Sequence, residues 1–171
     1  TRNMKPSRPS RGFTLIELTV VVALIGVAMV VAYPRFSGLV LGRKLRGFAG
    51  ELAGTLDFVR SRAVLDGRIY YFHFNRAKNE YWVTREGDGQ EEPMAGRLGR
   101  GQKLPEDLFL KRVTVEGAPG TYFEPVIRVF PRGSADEAYV YLESARGDRA
   151  SVWVKPYTGR SRAEMGFQKP A

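Results

Sequence analysis

Between Phe13 and Tyr33 lie twenty-one residues, "FTLIELTVVVALIGVAMVVAY", whose only charged side chain is Glu17. Nothing else in the chain restricts its folding so strongly. As a helix with about 1.5 Å of rise per residue the run would span roughly 31 Å, the thickness of a bilayer's hydrocarbon core. It therefore predicts one transmembrane helix. A carboxylate inside such a run costs about 2.5–3.5 kcal/mol even on lenient insertion scales, so Glu17 is a functional candidate in want of a cationic partner.

The residues ahead of the run supply a source for that partner. Residues 1–12 are polar and basic, with Arg2, Lys5, Arg8 and Arg11, and they end at Gly12, which reads as a leader. Those four cations account for four of the nine units of net positive charge, so a chain trimmed after Gly12 would carry +5. Such a cut would create an α-amino group on Phe13, four residues from Glu17. An ammonium there would pair with the carboxylate of a neighbouring copy and set the register between subunits. A cleavable secretory signal ending near "VVA" (30–32) is disfavoured by Glu17, and an ordinary single-pass anchor accounts for the length but for neither Gly12 nor Glu17. Charge bias does not orient the helix, because Arg35, Arg43, Lys44 and Arg46 follow it as closely as the four leader cations precede it.

Past Pro34 the pattern turns amphipathic. Leu45, Phe48, Ala49, Leu52, Leu56, Val59 and Ala63 recur at helical spacing, while Arg46, Glu51, Asp57 and Arg60 fall elsewhere. The helix is expected to run to about Leu65 and stop at Asp66-Gly67. Pro34, Gly38 and Gly42 predict a kink or soft segment between its halves. From Arg68 onward, short β-rich runs dominate: 69–74, 81–84, 112–116, 126–130, 138–143 and 151–154. "ARGD" (145–148) reads as the turn between the last two. Residues 86–103 hold five glycines and no periodicity, which predicts a long loop. The expected organisation is a leader (1–12), a transmembrane and assembly helix (13–33), its amphipathic continuation (34–67) and a β-rich domain (68–171). The fold class is α+β, a long N-terminal helix packed on a C-terminal antiparallel sheet domain.

"RGFTLIEL" (11–18) followed by an apolar helix resembles the class III signal of type IV pilins and type II secretion pseudopilins. The resemblance implies that a prepilin peptidase cuts after Gly12 and methylates Phe13, and that Glu17, fifth on the mature count, directs assembly. Pro34 matches a frequent pilin proline. The stretch 129–162 is similar to the minor pseudopilin H and competence minor pilin T group, through Phe130, Pro131 and Gly133 and through Pro156, Thr158, Gly159 and Arg160. What this implies is a structural subunit of a short pseudopilus serving protein export. Its partners would be other pilins or pseudopilins, and it would be anchored once in the inner membrane with the globular domain in the periplasm. The competing member of the group binds DNA through a Gly-Arg-x-Arg motif, and "GRSR" (159–162) has that form. Under that alternative Arg160, Arg162 and Lys155 would contact nucleic acid, with Arg146 and Arg149 enlarging the patch and Tyr157 as a stacking platform.

Other chemistry finds little support. The chain has no cysteine and one histidine, His73, which excludes a disulfide framework, a thiol nucleophile and a Cys/His zinc site. His73 alternates with Tyr71 and Ile69 on a strand, and the sequence offers it no partner. No serine sits in a nucleophile motif. Glu86, Asp88, Glu91 and Glu92 supply oxygens for calcium without EF-hand spacing. Gly96, Gly99 and Gly101 lack the Lys-Ser/Thr of a phosphate loop. The expectation is no enzyme, no cofactor and no metal.

Overall fold

The computed structural model describes residues 14–117 and 124–167, with side chains for all of these except 31–40. Helix α1 (Leu15–Asp66) opens the described chain. It stops where the sequence supplies Gly67, whose φ of +64° is a left-handed conformation that glycine adopts without steric cost. Helical structure is continuous through Pro34, Gly38 and Gly42, the stretch in which a kink or soft segment is expected. The chain nevertheless divides into two compact units after Gly38.

In the first unit the apolar side chains of α1 stand exposed on every side, from Leu15 (82%) to Val30 (75%). Among the described residues no helix is long and apolar enough to cross a membrane. The apolar stretch described with its side chains, 15–30, covers only about 24 Å at 1.5 Å per residue. Phe13, one end of the expected 13–33 span, lies outside the described residues, as do the side chains of 31–33.

The second unit holds the remainder of α1 and two antiparallel sheets. Strands β1 (Tyr70–Asn75), β2 (Glu80–Glu86), β3 (Glu91–Pro93), β4 (Gln102–Lys103) and β6 (Val126–Val129) form the first, in the order β3-β2-β1-β6 with β4 also on β2. Strands β5 (Leu108–Val115), β7 (Ala138–Ser144), β8 (Arg149–Val154) and β9 (Ser161–Met165) form the second, in the order β5-β7-β8-β9. All seven apolar positions expected on the inner helical face, Leu45 through Ala63, are buried. They join Phe72, Phe74, Val83 and Ile127 of the first sheet and Leu110, Val140, Leu142 and Val152 of the second in one core. Fully burying a Leu or Phe side chain contributes about 1.5–3 kcal/mol, enough for this face to hold the helix on both sheets.

Residues 86–103 are not one long loop. Gly87 N–H donates to Gln90 O (2.8 Å) to close a tight turn, and β3 then pairs with β2 at Thr84–Pro93, Arg85–Glu92 and Glu86–Glu91. A single 3-10 turn (Arg97–Gly99) and β4 follow, tied by the Gln102 side chain, which donates to Arg97 O (2.7 Å) and Arg100 O (3.0 Å). These pieces are two or three residues long and only Leu98 among them packs against the core, so backbone pairing makes them and hydrophobic alternation does not. Strand β5 starts four residues ahead of its expected position because a bulge between Leu110 and Arg112 breaks the alternation. Strand β9, "SRAEM", carries no β-branched or aromatic residue and gave no strand signal.

Candidate functional site

At the start of α1, Thr14 C=O accepts the first helical hydrogen bond, from Leu18 N–H (3.2 Å), which makes Thr14 the N-cap. Its Oγ1 accepts from Glu17 N–H at 3.3 Å. Thr14-Leu-Ile-Glu17 thus has capping-box spacing, a signal legible in the sequence itself. Glu17 sits in the first turn, where the helix dipole favours an anion. Its carboxylate makes no hydrogen bond or ion pair among the described residues and is exposed. Gly12 and Phe13 lie outside the described residues.

The two sequence signatures of the C-terminal half meet on the helix. Gly133, in the turn after Phe130-Pro131, and Gly159, in the turn joining β8 to β9, have φ of +82° and +58°. Arg60 Nε donates to Gly133 O (2.9 Å), and Asp57 Oδ1 accepts from Ser161 N–H (2.8 Å). Ala135 N–H donates to Pro156 O (2.9 Å), joining the two turns directly. A Cβ on Gly159 would lie 2.4 Å from Gly133 O and 3.0 Å from Arg60 Cδ. Gly159 is therefore required by close backbone approach and Gly133 by its left-handed φ, and Asp57 and Arg60, which the sequence placed merely off the apolar face, staple both turns.

The nucleic-acid candidates fall on and around the same β8–β9 turn. Arg160 and Tyr157 are exposed, Tyr157 almost wholly (94%). Arg162 Nε pairs with Glu164 Oε1 at 3.0 Å, and Lys155 Nζ lies 5.0 Å over the Trp153 ring. Arg149 is engaged 4.9 Å over Phe167 and 3.8 Å from Glu143, while Arg146 belongs to the β7–β8 turn, where Gly147 has φ +86°.

His73 does have partners, contrary to the sequence reading, and they come from another strand pair. Its Nε2 is 2.8 Å from Thr84 Oγ1 and 3.0 Å from Glu91 Oε2, Thr84 Oγ1 donates to the same Glu91 oxygen (2.6 Å), and the imidazole stacks on Trp82 at 5.1 Å. Burial lowers its pKa below 6.5, with Glu91 pulling the other way. One imidazole nitrogen shared by a hydroxyl and a carboxylate ties β3 to β1 and β2, beside a shallow pocket of about 270 Å³ lined by Tyr71, Glu86 and Glu91. The acidic cluster is dispersed: Glu91 turns to His73, Glu92 to Arg85 (3.0 Å), Asp88 to Arg68 (3.9 Å), and Glu86 accepts from Ile69 N–H (3.4 Å).

Residues 7–33 match the prokaryotic N-terminal methylation motif. Type II secretion system protein H of Pseudomonas aeruginosa is 41% identical over 118 residues, covering 66% of this chain and 67% of the relative. The chain belongs to the type II secretion system protein H family. Two solved structures of the minor pseudopilin EpsH from the type II secretion system of Vibrio cholerae share its fold. Their TM-scores are 0.55 and 0.58 at 13% and 14% identity, and the matches cover 71% and 75% of this chain and 97% and 99% of those. In this protein H family member the described apolar side chains of the stem are exposed, and Asp57 and Arg60 staple the two glycine turns.

Proposed function

We propose that this chain is a minor pseudopilin, a structural subunit of the type II secretion pseudopilus that takes part in protein export. The relationship to protein H across two thirds of both chains carries this reading. The physical basis is the stem: its described apolar side chains, from Leu15 to Val30, are exposed, and contiguous apolar surface of this kind needs lipid or a neighbouring helix to cover it. In this reading a prepilin peptidase cuts between Gly12 and Phe13 and methylates the new amine. The stem holds the subunit in the inner membrane, with the domain from residue 68 in the periplasm, until assembly exchanges lipid for the stems of other pseudopilins. The unpaired carboxylate of Glu17 then receives the Phe13 ammonium of an adjoining subunit.

The nucleic-acid alternative draws less support, because Gly159 has a structural cause and Arg162 and Lys155 already have partners. Glu17→Ala is the test. Membrane insertion should persist, since removing a charge from an apolar stem only favours it. Co-purification with other pseudopilins should be lost, and retention at the wild-type level would refute the pairing.

A further inference from the structure

Three of the four sheet edges in the second unit are blunted at described positions, by side-chain plugs or by short length. On β6, Asp136 accepts from Arg128 N–H (2.9 Å), Asp136 N–H returns a bond to Arg128 O (3.0 Å), and Val129 bridges Ala135. On β5, the Asn79 side chain donates to Leu108 O (2.7 Å) and accepts from Leu110 N–H (2.8 Å), just ahead of the bulge. The outer edge of the first sheet is β3, three residues ending in a proline. Short strands, bulges, proline and side-chain plugs are how proteins keep edges from pairing with other chains.

Strand β9 has none of these over most of its length. Lys155 N–H donates to Arg160 O and Gly166 N–H to Arg149 O, so in the antiparallel ladder residues 160, 162, 164 and 166 turn their backbone groups toward β8. Ser161, Ala163 and Met165 turn theirs outward. Asp57 takes the Ser161 N–H, and among the described residues nothing bonds the N–H or C=O of Ala163 or Met165. Beside this edge a groove of about 490 Å³ opens toward Arg46 and Ala49 of α1, lined also by Arg162 and Glu164. Ala163 and Met165 are only partly buried in it, packed against the core. Arg162 is neutralised by Glu164, whereas Arg46 is exposed and makes no ion pair among the described residues, so the groove has one cation in excess.

We propose that the open edge of β9 receives an extended segment of a partner protein, which adds a strand along Ala163–Met165 and presents a carboxylate to Arg46. Backbone pairing supplies the attraction and the acid–Arg46 contact fixes the register. A second copy of this chain is the poorer occupant. Antiparallel self-pairing about Ala163 would set Met165 of one chain against Ser161 of the other, where Asp57 already fills the edge. The proposal rests on the pseudopilus reading only for the assembly in which it is tested.

The experiment uses the full chain in native membranes carrying its export apparatus. Ala163→Pro deletes one outward N–H and leaves the β8 ladder intact, a change that edge strands tolerate. Ala163→Val keeps the N–H, and Arg46→Glu reverses the groove's charge. Recovery of partner subunits with the tagged chain should fall on the order of tenfold in Ala163→Pro and Arg46→Glu and stay unchanged in Ala163→Val. The amides of Ala163 and Met165 should exchange freely in the isolated chain and become protected in the assembled material. Equal exchange in both states, or wild-type recovery with Ala163→Pro, overturns the proposal. So does protection in the isolated chain that rises with concentration, which would identify a second copy. If Ala163→Pro fails to fold by circular dichroism, Arg46→Glu and the wild-type exchange data decide. Wild-type assembly that survives Ala163→Pro but not Glu17→Ala would sink the edge proposal alone, and assembly indifferent to Glu17→Ala would sink the pairing reading instead.

Discussion

Replacing Gly159 with alanine should be among the most damaging single changes available outside the apolar core. A left-handed φ of +58° costs an L-residue about 1–2 kcal/mol. The added Cβ would also stand 2.4 Å from Gly133 O, a backbone atom that moves only with the Phe130–Gly133 turn. Shifting that turn stretches the 2.9 Å bond from Arg60 Nε, and a hydrogen bond to a charged group is worth about 1.5–3 kcal/mol. The expected loss is therefore about 3–5 kcal/mol. At roughly 3–5 °C per kcal/mol for a unit of this size, that is a fall in Tm on the order of 10–20 °C. Gly147→Ala is the internal control: φ is +86° but a Cβ there meets nothing within 4 Å, so only the conformational cost of about 1–2 kcal/mol applies. Thermal and urea unfolding of the full chain, followed by circular dichroism, separates the two. In an Arg60→Ala background the Gly159→Ala penalty should shrink, because the bond that the shift breaks is already gone. Equal losses for the two glycine variants, or no coupling to Arg60, would refute the close-approach argument.

Asn79 has φ +54°, which glycine tolerates, so Asn79→Gly isolates the loss of its two hydrogen bonds to β5. The urea midpoint should fall by the equivalent of about 1–3 kcal/mol, and light scattering should rise with concentration as the β5 edge opens; an unchanged midpoint would contradict the plug. His73, whose pKa burial holds below 6.5, binds a proton more readily in the unfolded chain. Its contribution is therefore constant above about pH 6.5, is lost as pH falls from there toward the lowered folded-state value, and levels off below it. His73→Phe should remove that slope from a stability–pH profile, and an identical slope in the variant would assign it to other groups.

The helix and most of the strands were legible because their signals are local. Residues 45–63 carry a 3.6-residue apolar period over five turns, and β1, β2, β7 and β8 carry aromatic and β-branched residues bounded by turn formers. Glu17 was legible for the same reason, as a single charge in an apolar run. The alternation of β5 was not, because a bulge inserts one residue and inverts the pattern, and β3, β4 and β9 were silent because polar edge strands exist through pairing with a neighbour.

The sequence by itself determined an apolar stem with one acid behind a glycine, and an amphipathic helix feeding a β-rich domain. These follow from composition and period, which are properties of adjacent residues. Only the tertiary structure decided that Gly133 and Gly159 serve Arg60 and Asp57 across more than seventy residues of chain, that His73 belongs to Glu91, and that Ala163 and Met165 of β9 turn their backbone groups outward beside a groove. Those are contacts between elements. They depend on which strand lies beside which, and no local pattern encodes that.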